Sequence, residues 1–140
     1  MRLFGRRRPD PLGDGVWRRA HDRFRRAVDR YHQVIEGVPD GELRDALELL
    51  GARLAACLDA VRAACERAQA EHPSEGLDIP GAARDLHARL SRGATLAAQA
   101  AEAATMARLR AASTPGTAQD ARQALAAQRA VEQVERLVSG

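Results

Sequence analysis

Residues 40–72 read DGELRDALELLGARLAACLDAVRAACERAQAEH, and this stretch decides the fold. Leu43, Leu47, Leu50, Leu54, Cys57, Leu58, Val61, Cys65 and Ala68 recur at three- and four-residue steps, a near-heptad stripe on one helix, with Leu49 lying off it. A helix with a single apolar stripe needs helical partners to cover it. Asp40 is its expected N-cap. Pro73 ends it, because the residue before a proline avoids the helical region.

Upstream, Trp17, Ala20, Phe24, Ala27, Val28, Tyr31, Val34 and Ile35 fill one arc of about 120° on a helical wheel. Arg18, Arg19, Arg23, Arg25, Arg26 and Arg30 fall outside it. Asp14 is the expected cap, and Gly37, Val38 and Pro39 close the helix. The aromatic face predicts a cover for the Leu stripe of the second helix; the same amphipathic pattern also occurs in helices that lie on a membrane surface.

Downstream, residues 73–79 form a loop, and Pro80 suits the first turn of a third helix. That helix carries two stripes, Ala83, Leu86, Leu90, Ala97 and Ala104 beside Leu96, Ala100, Ala103 and Ala107. Two stripes predict neighbours on two sides. Residues 113–116 make a turn, and Thr117 with Asp120 resembles a capping box for a fourth helix. Its line is Ala124, Ala127, Val131, Val134 and Val138, flanked by Leu125 and Leu137.

The predicted fold class is therefore all-α: an antiparallel up-down four-helix bundle with helices at about 14–36, 40–72, 80–112 and 117–138. Short loops make consecutive helices neighbours. Helices 2 and 3 are then expected to form a long central hairpin of ~48 Å at 1.5 Å per residue, flanked by two shorter helices. Both short helices would sit at the end opposite the 73–79 loop. The hairpin tip, about residues 63–91, would be bare. Glu71, Glu75, Leu77 and Ile79 are its candidate contact residues.

Composition agrees with this shape. Ala, Arg, Leu and Glu number 30, 22, 15 and 9 among 140 residues, the profile of long helices. Aromatics are 3%, which argues against a β-sandwich or barrel. Leu, Ile, Val and Phe supply only 27 residues, so the core is thin and Ala fills its contacts. Lys and Asn are absent, a bias expected of a high-GC bacterial source.

The charge is polarised. Residues 1–30 hold ten Arg and four Asp; residues 31–140 hold twelve Arg and fifteen acids. A basic arm, residues 1–13, thus precedes a mildly acidic bundle, residues 14–140. In the arm and first turn, Arg2, Arg6, Arg7, Arg8, Arg18 and Arg19 are candidate contacts to an anionic partner. Leu3 and Phe4 are candidates for insertion into a bilayer surface. Nonspecific nucleic-acid binding is the other use of such an arm, since no helix-turn-helix spacing or aromatic platform is present.

Catalytic signals are missing. There is no Gly-rich phosphate loop, no Cys-x-x-Cys and no His-Glu-x-x-His. None of the four His has Glu three positions before it; Asp29 with His32 comes nearest. Neither a metal nor a cofactor is expected. Cys57 and Cys65 lie ~12 Å apart along one helix, too far for a disulfide, and read as buried small hydrophobes in a reducing cytoplasm. The hairpin register would set Cys65 opposite His87 and Cys57 near Thr95. No apolar run is long enough to span a membrane.

The expected function is a non-catalytic protein-interaction or scaffold module in the cytoplasm. Its partner would be another protein, or a second copy joined through Leu49, Leu96, Met106 and Leu109. The alternatives are a peripheral binder of anionic membrane, at its inner face, or of nucleic acid, and a small-ligand bundle with a pocket among Trp17, Tyr31, His32 and the Ala-rich third helix.

Overall fold

The computed structural model describes residues 10–113 and 118–139. The arm residues Arg2, Leu3, Phe4, Arg6, Arg7 and Arg8, and Thr117 of the capping box, lie outside the described residues. The fold is all-helical. Four helices pack together: α1 (Val16–Ile35), α2 (Glu42–Glu71), α3 (Arg84–Ser113) and α4 (Ala118–Ser139), with one 3₁₀ turn (Gly81–Ala83) leading into α3. None of them is long and apolar enough to cross a membrane.

Contacts between named residues give the arrangement. Trp17 Nε1 donates to the His72 carbonyl at 2.8 Å, and Tyr31 OH donates to the Leu47 carbonyl at 2.6 Å. α1 therefore runs antiparallel to α2 along most of its length. The Trp17 ring meets the His87 ring edge-on at 5.9 Å, and Phe24 lies over Gly93. α1 and α3 thus run in the same direction. Arg53 on α2 makes a two-pronged bond to Glu135 on α4, at 3.0 and 2.5 Å. Leu137 and Val138 at the end of α4 lie near Leu86 and Leu90 at the start of α3.

Around the bundle the order is α1, α2, α4, α3, and α2 and α3 stand on a diagonal with almost no direct contact. The expected central hairpin of helices 2 and 3 is thereby overturned. The connection through residues 72–83 is long enough to carry the chain across the bundle rather than back along α2. The two stripes of α3 are satisfied by α1 on one side and α4 on the other. The Leu stripe of α2 is likewise covered by the aromatic face of α1 and the Val line of α4.

The expectation that α1 sits away from the 73–79 loop fails for the same reason. α1 begins at that loop: the Ser74 hydroxyl accepts the Val16 N–H at 3.1 Å, and Arg19 Nη1 donates to the Gly76 carbonyl at 2.9 Å. The N-cap of α1 is Gly15, not Asp14, and that of α2 is Gly41, not Asp40. Asp40 instead pairs with Arg44 at 3.3 Å.

The core holds Trp17, Phe24, Tyr31, Leu47, Leu54, Val131 and Val134, all fully buried, with eight Ala of α3 between them. Each large side chain contributes about 1.5–3 kcal/mol on burial. The last residues assigned to the arm also belong here. Leu12 is 1% exposed, and Gly13 N–H donates to the Asp10 carbonyl in a tight turn.

Candidate functional site

The site follows from unequal helix lengths. α2 and α3 each have 30 residues and α4 has 22. At 1.5 Å per residue the difference is about 12 Å. α4 packs on the rows of α2 and α3 that face it and stops at Ser139, level with the middle of α2. Those rows continue past it. On α2, Arg53 and Cys57 lie beside α4, and Ala60, Ala64, Ala68 and Glu71 follow at three- and four-residue steps. On α3 the row runs from Gly93 back through Leu90 to Leu86.

The result is a groove of about 240 Å³ between α2 and α3, closed at one end by Leu137 and Val138. Its floor includes the buried Val61, Ala68, Ala83 and Leu90. Ala60, Ala64 and Ala68 supply half of the α2 wall and leave its middle shallow, beside Val61. Arg67 on α2 and Arg89 on α3 stand at the rims, with Glu71 and His72 at the far end. Both arginines are exposed, and among the described residues neither makes an ion pair.

A second cleft, of about 310 Å³, lies under the N-terminal turn, between α1 and α2. His21 is buried there, with Nδ1 2.9 Å from Asp22 Oδ1. The His21 hydrogen bond, with Arg18 and Arg25 nearby, holds the Asp22 carboxyl below its usual range. His21 was legible in principle: Trp17, His21, Phe24, Val28, Tyr31 and Ile35 make an unbroken heptad row. Asp10, Asp22 and Asp59 balance Arg18, Arg25 and Arg62 around the cleft.

The remaining candidates are dispersed. Of the four tip residues only Glu71 lines the groove; Glu75 and Ile79 are exposed in the loop, and Leu77 is 75% exposed. The bare tip is corrected to a tip open on one side, since Val16 and Trp17 cover the other. Arg18 is bonded to Asp10 and to the Gly13 carbonyl, and Arg19 to Gly76, so both are held by the fold's own N-terminal corner.

Leu96 is buried and cannot join Leu49, Met106 and Leu109 on an outer face. Trp17 and Tyr31 are fully buried with both polar atoms already bonded, and His32 bonds the Val28 carbonyl. The Cys65–His87 and Cys57–Thr95 pairings fall with the central hairpin. His87 meets Trp17 edge-on, Thr95 accepts from Arg23 at 3.0 Å, and Cys57 faces α4. Burial pushes the Cys65 thiol up to about 12 and the Cys57 thiol to about 11, the reverse of an activated nucleophile.

Among the described residues no group of three His, Cys, Asp or Glu is placed to hold a metal ion. Comparison of the chain with protein-family models, with curated proteins and with solved structures finds no match.

Proposed function

We propose that this protein is a non-catalytic interaction module that seats one helix of a partner protein in the α2–α3 groove. One observation carries the reading: α2 and α3 enclose a groove of about 240 Å³ with an apolar floor of Val61, Ala64, Ala68 and Leu90 and with charged side chains at its rims. A fourth helix completes the bundle there, as α4 completes the other end. Apolar helix faces that lie in such grooves are read out at i, i+4 and i+7 by the pockets they fill. The burial that raises both thiols, and the balance of three Asp against three Arg around the His21 cleft, support an interaction role rather than a chemical one.

The test is resonance mapping on the isotope-labelled full chain. The probe is a synthetic helical peptide with Leu at i, i+4, i+7 and i+11 and Gln at the flanking positions. Saturable shifts concentrated at Ala60, Ala64, Ala68, Leu86 and Gly93 are expected. Shifts spread over the surface, or none up to millimolar peptide, would end the reading.

A further inference from the structure

The groove's rim says which helix it takes. We infer that the partner helix is amphipathic with carboxylates flanking its apolar face, placed to meet Arg67 and Arg89; this rests on the groove reading above. The two guanidiniums come from facing helices and line the same cavity. Across the α2–α4 seam Arg53 is matched by Glu135, while Arg44 and Arg62 pair with acids near them on or beside α2. Arg67 and Arg89 have no such match. At the seam that α4 does fill, the equivalent place beside the groove holds the Arg53–Glu135 pair, in which α4 brings the carboxylate. A docked helix that continues this interface is asked for the same chemistry.

The rim also decides between occupants. The chain's own residues 1–9 carry Arg2, Arg6, Arg7 and Arg8, and the two rim arginines repel them. A second copy would have to present an acidic apolar helix. On α3 the exposed Met106 and Leu109 stand beside Arg108 and Arg110, so that face does not fit; on α2 only the single exposed Leu49 stands beside acids, Asp45 and Glu48, too short a face to fill the groove. Glu71 lies one turn beyond Arg67 on α2, so the partner's carboxylates belong at the level of Arg67 and not past it.

The experiment compares three peptides of identical apolar spacing, flanked by Glu, Gln or Lys, by fluorescence anisotropy on the full chain. The Glu peptide is expected to bind at least about fivefold more tightly than the Gln peptide, and the Lys peptide more weakly than either. The difference should shrink as salt is raised. Arg67→Glu with Arg89→Glu should reverse the order, and Glu71→Gln should tighten the Glu peptide. Circular dichroism checks that each variant is folded.

Equal affinity of all three peptides for the groove would overturn this inference and leave the docking reading standing. No groove binding by any of them would end both. Groove resonances that shift with protein concentration, or on deletion of residues 1–9, would assign the seat to a second copy or to the arm and overturn the inference.

Discussion

Ser74 lies 58 positions from Val16 in the chain, yet its hydroxyl accepts the first N–H of α1. Its own N–H donates to Gln69 Oε1 at 3.0 Å, so this one buried serine ties the end of α2 to the start of α1. A helix N-terminus has unsatisfied donors, and capping one is worth about 1 kcal/mol. Ser74→Ala is expected to lower stability by about 1–2 kcal/mol, measured as a shift in the urea midpoint. Gly15 allows the close approach: a methyl group there would stand 2.3 Å from the Ser74 carbonyl oxygen. Gly15→Ala should therefore cost about 1–3 kcal/mol, and an unchanged midpoint would mean that this corner opens in solution. The buried thiols have a pH signature. An ordinary thiol has a value of 9.0, and burial raises Cys57 to about 11 and Cys65 to about 12. Below pH 9 both states keep their protons. As pH rises past 9 the unfolded chain ionises first, so stability falls until the folded values are reached. The Tyr31 hydroxyl, also raised by burial, acts in the same direction from pH 10 upward. Comparing urea midpoints at about pH 8 and about pH 10 should show this decline, reduced in a Cys57→Ala, Cys65→Ala variant. An equal decline in that variant would show that the thiols do not contribute.

At the scale of elements, the four helices and the cover that α1 gives α2 were legible, and the pairing of α2 with α3 was misread. The Leu stripe of α2, the aromatic heptad of α1 and the paired stripes of α3 each state that a face is apolar, and the core uses all of them. Stripes do not say which face meets which. That was settled by loop length, and the connection through Pro73 and Pro80 is longer than the loops that hold consecutive helices side by side. Trp17 can pair its ring with His87 only because that connection crosses the bundle. The groove was invisible for the same reason: it exists because α2 and α3 are diagonal and α4 is short. Its rim arginines look in sequence like any solvated charge. Gly93 tests the packing of α1 on α3. A methyl group there would meet Phe24 at 3.6 Å, an ordinary contact, while glycine within a helix costs roughly 0.5–1 kcal/mol against alanine. Gly93→Ala is expected to raise the midpoint by about that amount. A loss of 1 kcal/mol or more would mean that the two helices sit closer together than the Phe24 contact indicates.

At the scale of the whole molecule, the bundle is closed at one end and open at the other, and this asymmetry joins its stability to its use. In the closed part Ala97, Ala100 and Ala104 are fully buried between α1 and α4, where an added isobutyl group has nowhere to go. At the open part Ala64 faces the groove and is only partly buried. Identical substitutions at the two places should therefore differ. Ala104→Leu is expected to cost about 1–3 kcal/mol through overpacking. Ala64→Leu places its side chain in the groove, where it is expected to be neutral within about 0.5 kcal/mol. The same Ala64→Leu should compete with a docked helix and weaken the binding of the Gln-flanked peptide, separating occupancy from folding in one variant. If Ala64→Leu destabilises the free protein as much as Ala104→Leu does, the groove is filled in solution by the chain itself. A partner helix would then have to displace that segment before it could bind.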